Sequence, residues 1–122
     1  MNQQREGPLS ANAEISDAAV RLMSEYTGRG PTRSRTTIDR DSVMIMLGDT
    51  LTRGERKLVE AGKQERVLGL RHDFQLAMRD DLIAAVEAAT KRKVGAFMSQ
   101  NHIDPDLAVE VFALEPEHRA VS

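Results

Sequence analysis

The sequence predicts an α+β domain in which an antiparallel four-stranded sheet carries helices on one face, in the order α-β-β-α-α-β-β. Apolar residues recur at helical spacing in two segments. Short runs with strand propensity occur as two pairs, and each pair is close enough to form a hairpin. Capping and turn residues separate these segments. Two hairpins joined by helices are typical of a domain with one sheet layer and one helix layer.

Length and composition favour one domain. The chain has 122 residues, no cysteine and 3% aromatic residues, so the predicted core is aliphatic and has no disulfide or thiolate metal site. A net charge of -2 argues against nucleic-acid binding. No apolar run approaches the roughly 20 residues of a membrane-spanning helix, so direct membrane insertion is not expected. We assign a disordered lead-in to 1–9, the domain to 10–116 and a flexible tail to 117–122.

The first helix begins after Ser10 and ends at Gly28, a residue type that commonly ends helices. Between these two residues, apolar side chains recur at helical spacing, whereas the charged residues fall outside the stripe. The stripe consists of Ile15, Ala19, Leu22, Met23 and Tyr26. This pattern predicts an amphipathic helix that packs on the sheet.

The first hairpin joins strands predicted at 33–39 and 42–47 through a polar turn at 39–41. Its second strand is apolar without interruption, although a sheet covered on one face should alternate between apolar and polar residues. We therefore predict a homodimer closed through this strand, the long helix, or both. The predicted interface residues are Met44, Ile45, Met46 and Leu47. In the alternative, the first helix covers this strand within one chain.

Two helices follow the hairpin. Thr52 and Glu55 have the spacing of a capping box and predict the start of a short helix, which Gly62 breaks or bends. A long helix is predicted over about 66–90. Its apolar stripe is Val67, Leu70, Phe74, Ala77, Met78, Leu82, Ala85, Val86 and Ala89. Its predicted solvent face carries Arg71, Asp73, Gln75, Arg79, Asp80 and Glu87.

The last two strands are predicted at 94–99 and 107–114, and a turn-rich connector at 101–106 separates them. The final strand alternates, which indicates that one of its faces is buried more than the other. Pro116 ends it.

The ordered series of these motifs resembles the MpsC family, the C component of the Na⁺-translocating membrane-potential-generating system. The motifs are Gly28-Arg-Gly-Pro31, the first hairpin, Leu51-Thr-Arg-Gly-Glu55, Arg79-Asp-Asp-Leu82 and Asn101-His-Ile-Asp-Pro-Asp106. The resemblance covers roughly 10–116. This chain departs from the family pattern at two positions: Lys91 stands where a helix-ending glycine is usual in the family, and Gln100 stands where the family often has an aspartate. The resemblance implies a small soluble partner of integral membrane proteins that move cations or inorganic carbon, and it supplies no catalytic residues.

Candidate sites are few. Arginines concentrate at the first loop and hairpin, where forked guanidinium donors suit an anion or an acidic partner. A solvated strand face is the simpler interpretation and is favoured over binding. These arginines are Arg29, Arg33, Arg35 and Arg40. His102, Asp104 and Asp106 fit an ordinary polar turn, so we predict no metal site and no cofactor. No recognisable base–nucleophile set is present, and we predict no catalytic residue and no enzyme activity.

The sequence therefore predicts a non-catalytic accessory protein. It would be cytoplasmic, associated peripherally with an integral membrane transport complex at the inner face of the membrane. The alternative is a regulatory protein that senses an anion or small molecule through the arginines of the first hairpin.

Overall fold

A computed structural model describes residues 10–116 of the chain. The predicted lead-in at 1–9 and tail at 117–122 lie outside these described residues. Three helices and four strands follow one another in the predicted order. They are α1 (Ala11–Thr27), β1 (Arg33–Asp39), β2 (Ser42–Gly48), α2 (Arg53–Glu60), α3 (Gln64–Thr90), β3 (Val94–His102) and β4 (Leu107–Leu114).

The four strands form one antiparallel sheet in the order β1-β2-β4-β3. The long helices lie side by side on one face, with α1 against β1 and α3 against β3. This confirms the predicted α+β class. The core lies between the two layers and is aliphatic apart from Phe112 and the partly buried Phe97 and Tyr26. The other face of the sheet is not covered by any helix of residues 10–116.

Helix ends follow the predicted capping signals. Ser10 caps α1, and its hydroxyl accepts a hydrogen bond from the Ala13 amide at 3.2 Å. The capping box of α2 is complete: Thr52 accepts from the Glu55 amide at 3.1 Å, and Glu55 accepts from the Thr52 amide at 2.8 Å. Lys91 ends α3 at φ +62°, in the left-handed conformation that favours glycine. A lysine therefore occupies a backbone position that glycine adopts more readily.

We expect Thr52→Ala to lower the free energy of unfolding by about 1 kcal/mol, because a helix amide loses its acceptor. Thr52→Ser keeps the hydroxyl and is expected to stay within about 0.5 kcal/mol of the wild type. Urea unfolding followed by far-ultraviolet circular dichroism measures both. Equal losses in the two variants would contradict a capping role for the hydroxyl.

The predicted faces of α3 are partly wrong. Val67, Met78, Leu82 and Val86 are buried as predicted, but Leu70 is 41% exposed. Arg71 and Gln75, which the sequence placed towards solvent, are 2% and 1% exposed. Both residues follow Val67 at steps of four residues, so they lie on the same buried face of α3. They are accommodated there because each contacts a buried carboxyl group, Glu55 for Arg71 and Glu110 for Gln75.

Strand β2 alternates more regularly than its composition suggests. Val43, Ile45 and Leu47 point into the core and are at most 1% exposed, whereas Met44 and Met46 are 39% and 38% exposed on the opposite face. Within the predicted run, Ile45 and Leu47 are therefore covered inside one chain, because they pack in the same core as the buried residues of α1. Only Met44 and Met46 remain available to a partner.

Candidate interaction surface

The uncovered side of the sheet, here called the open face, has an apolar centre. Met44 and Met46 of β2 lie beside the half-buried residues Val109 and Val111 of β4, and Met98 of β3 is 55% exposed. Adjacent exposed apolar side chains form a continuous patch, and large patches of this kind are commonly interaction sites. The open face is therefore the candidate interaction surface of the described residues.

Strand register places the side chains of the open face in four rows that cross the sheet. The rows, read from β1 to β3, are Arg33–Gly48–Leu107–His102, Arg35–Met46–Val109–Gln100, Thr37–Met44–Val111–Met98 and Asp39–Ser42–Ala113–Ala96. Charged residues are confined to β1, at one margin. The methionines and valines of the apolar centre lie in the two middle rows, and Leu107 lies beside them in the first row.

Arg33 lies across the open face at the end of the first row. A Cβ atom added to Gly48 would come within 2.6 Å of its Nε and Nη2 atoms, so the guanidinium rests directly on the Gly48 backbone. A side chain at position 48 would therefore displace the Arg33 guanidinium from this place on the open face. Arg35 is two residues further along β1 and on the same face.

The other two predicted arginines lie elsewhere. Arg29 donates to the carbonyl oxygen of Asp49 at 2.7 Å and forms a salt bridge with the Asp49 carboxylate at 2.8 Å. Arg40 occupies the β1–β2 turn at φ +55°, and its carbonyl accepts a hydrogen bond from Arg92 at 2.9 Å. Arg33 and Arg40 are at opposite ends of β1. The four arginines do not form a single anion-binding cluster.

Asp49 is the centre of a polar cluster at the end of β2. Its carboxylate accepts from Thr32 at 2.9 Å and forms salt bridges with Arg29 and Arg56, at 2.8 Å and 2.6 Å. The Thr32 hydroxyl and the nearby guanidinium groups hold the pKa of Asp49 below its ordinary value. The cluster ties the loops around the sheet end, and its acidic and basic groups satisfy one another.

The predicted connector contains a compact turn. His102 Nδ1 lies 2.9 Å from the Pro105 carbonyl oxygen. Asp106 accepts hydrogen bonds from the Thr50 hydroxyl and the Leu51 amide, at 2.8 Å and 3.0 Å. These contacts support a structural role for both residues, with His102 at the end of β3 and Asp106 in the turn that follows. Across residues 10–116, no group of three or more histidine or acidic side chains is placed to hold a metal ion.

A family model described as the Na⁺-translocating membrane potential-generating system (MpsC) matches residues 9–116. The chain belongs to the MpsC family. The match confirms the resemblance that the ordered motifs indicated and spans most of the sequence. No curated protein and no solved structure matches the chain. Within residues 10–116 of this MpsC-family chain, no helix is long and apolar enough to cross a membrane.

The MpsC-family chain also buries a charged pair that the sequence did not reveal. Arg71 of α3 forms a salt bridge with Glu55 of α2 at 3.2 Å, and both side chains are at most 4% exposed. Arg71 also donates to the Thr50 carbonyl at 3.4 Å and contacts the Met23 sulfur at 3.6 Å. The capping glutamate of α2 therefore has a second role, which is to neutralise a buried guanidinium.

A second buried polar group links α3 to the sheet. Gln75 Nε2 donates to Glu110 of β4 at 2.8 Å, and Gln75 Oε1 accepts from Asn101 of β3 at 2.7 Å. Burial raises the pKa of Glu110 to about 7, against the hydrogen bonds from Gln75 and Ser99 and the positive charge of Arg71, which favour the ionised form. Glu110 follows the strand alternation, but no sequence pattern indicated that its pKa would be raised.

Proposed function

We propose that this MpsC-family chain is a non-catalytic accessory protein of a membrane-potential-generating system, acting in the cytoplasm at the inner face of the membrane. Family membership supports the association with such a system. The observation that supports an interaction role is the open face, with its apolar centre. The groupings of charged residues described above are engaged in salt bridges and turns, as expected of a scaffold rather than of a reaction centre.

The functional unit of this proposal is a homodimer closed through the open face. Strand spacings give the face a footprint of roughly 20 Å by 20 Å, so that two copies cover roughly 800 Å² between them. This area is below the roughly 1,200–2,000 Å² that stable specific interfaces bury, so we expect the association to be weak and reversible. Complete burial of a large apolar side chain contributes roughly 1.5–3 kcal/mol of stabilisation. Because the methionines are already partly buried in one chain, each would contribute only a fraction of this value to the dimer.

We expect replacement of Met44 and Met46 by glutamate to convert the dimer to a monomer, because the two carboxylates would be desolvated at the interface. Size-exclusion chromatography with light scattering, at concentrations in the tens of micromolar, measures the change. Leu76→Glu is the matched control, since Leu76 is 53% exposed on α3 and lies away from the sheet. A monomeric wild type, or dissociation caused by Leu76→Glu alone, would contradict the proposed interface.

The accessory role is tested in native membranes. A tagged full-length chain is expected to retain an integral membrane subunit of a cation-transport complex after extraction in mild detergent. Membrane vesicles that lack the chain are expected to develop a smaller Na⁺-dependent potential, and addition of the purified protein should restore it. An unchanged potential, together with recovery of no transport subunit in several detergents, would overturn the role.

A further inference from the structure

We propose that two copies of the chain stack their open faces around a two-fold axis that runs across the strands. In this arrangement β1 of one copy lies antiparallel over β1 of the other. The proposal rests on the homodimer proposed above and adds the orientation of the two copies. It follows from the order of charges along β1 and from the rows of the open face.

Strand β1 is complementary to itself when its direction is reversed. Its open-face residues are, in order, Arg33, Arg35, Thr37 and Asp39. An axis that crosses β1 between Arg35 and Thr37 places Arg33 opposite the partner subunit's Asp39. The symmetry makes this contact twice, because a two-fold interface uses the same patch on both copies. Opposite charges therefore meet at both ends of β1.

Both charged residues are available for this contact. The Arg33 guanidinium lies on the open face above Gly48, and Asp39 is exposed. Within residues 10–116, neither side chain forms a salt bridge. Arg33 helps to lower the pKa of the nearby Asp49 carboxyl, and a pairing across the interface would give Arg33 a second acidic neighbour and Asp39 a basic one.

The same axis brings the apolar centres together. It passes between the two middle rows and exchanges them, so Met44 lies over the partner's Met46 and Val109 over the partner's Val111. Two sheets stacked with their strands nearly aligned interdigitate such side chains at a separation of about 10 Å. The arrangement thus stacks the methionines of β2 and the valines of β4 and joins opposite charges at the ends of β1. It also places Arg35 over the partner's Thr37 and Met98 over the partner's Gln100.

Other two-fold arrangements lose these matches. An axis parallel to the strands would place Arg33 over the partner's His102 and Asp39 over the partner's Ala96, so both charges would lack an opposite partner. Pairing of two β1 edges would extend the sheet instead. The Asn12 side chain hinders this, because its Nδ2 atom donates to the Thr36 carbonyl at 2.9 Å and occupies the middle of that edge.

The first test exchanges charges. Arg33→Asp and Asp39→Arg are each expected to weaken self-association by about tenfold, since two attractive contacts become repulsive. Mixed in equal amounts, the two variants are expected to associate about as tightly as the wild type, because each contact of the mixed dimer again joins opposite charges. Arg35→Asp mixed with Asp39→Arg is the matched control and is expected to show no such recovery. Analytical ultracentrifugation measures all of these affinities.

The second test uses the absence of cysteine from the chain. Ala96 and His102 occupy the two ends of the open face on β3, so the axis places each opposite the other residue of the partner. Ala96→Cys and His102→Cys chains are expected to be joined by a short bismaleimide when mixed. Each variant alone is expected to react poorly with itself, because identical positions are then roughly 20 Å apart along the strands.

The outcomes separate the two proposals. A monomeric wild type overturns the homodimer and this orientation with it. A dimeric wild type whose mixed charge variants show no recovery, or whose Ala96→Cys chains link to themselves, overturns only the orientation. Binding of a monomer to vesicles rich in phosphatidylglycerol, abolished by the Met44 and Met46 glutamates, would assign the open face to a lipid surface and overturn both.

Discussion

We expect Arg71→Met to lower the free energy of unfolding by about 3–5 kcal/mol, because it leaves the Glu55 carboxylate buried without its charged partner. Arg71 Nη1 lies 3.2 Å from Glu55 Oε1, both side chains are almost fully buried, and Glu55 Oε2 has no hydrogen-bond partner in the described chain. Urea unfolding followed by far-ultraviolet circular dichroism measures the loss and suits a chain without tryptophan.

Two further variants make this prediction specific. Arg79→Met removes an exposed arginine from the same helix, where the ion pair with Asp80 is worth at most about 1 kcal/mol. Adding Glu55→Gln to Arg71→Met removes the unpaired charge and keeps a capping side chain, so it is expected to recover part of the stability. A loss in Arg71→Met no larger than in Arg79→Met would show that the buried pair does not carry the expected stability.

The second large effect that we expect is a pH dependence of stability, which arises from the buried carboxyl group of Glu110. The pKa of Glu110 is about 7 in the folded chain, compared with an ordinary value of 4.5. Between these values the folded chain binds a proton that the unfolded chain has released. The stabilising contribution is therefore complete below pH 4.5 and is lost as the pH rises through about 7. The contribution of Glu110 to the free energy of unfolding that is lost over this pH range is on the order of 3 kcal/mol.

Glu110→Gln is expected to remove this dependence. The amide oxygen can still accept from Gln75, and no buried carboxylate needs to ionise. The variant should gain stability relative to the wild type as the pH rises from about 5 to about 8, and urea unfolding across this range measures the difference. The exposed Glu25→Gln is the matched control and should keep the wild-type profile. A constant difference between Glu110→Gln and the wild type at every pH would contradict the prediction.

Local signals predicted the element order well. Ser10, Gly28 and the Thr52–Glu55 box mark helix ends through contacts between residues close in sequence, and the structure contains each of these contacts. The predicted first helix and first hairpin match α1, β1 and β2 to within a residue or two. Strand β3 extends to His102, beyond the predicted end, because its pairing with β4 continues into the connector.

The candidate surface was predicted less completely, because side-chain burial depends on partners distant in sequence. In β2 an uninterrupted apolar run hid the alternation between Ile45 in the core and Met44 on the open face. Arg71 and Gln75 look like solvent-facing residues until Glu55 and Glu110 are placed beside them. The four arginines are also spread apart, since proximity in sequence does not bring Arg33 and Arg40 to the same end of β1.

The buried polar side chains of α3 also fix where the helix lies along the sheet. Its apolar residues Met78, Leu82 and Val86 are similar in size, so a slide of one helical turn, about 5.4 Å, would still bury apolar groups against the strands. The same slide would separate Arg71 from Glu55 and Gln75 from Glu110, leaving two carboxylates buried without partners. We infer that these polar pairs determine the position of α3 along the sheet, because they are formed in only one of the several alignments that apolar packing alone would allow.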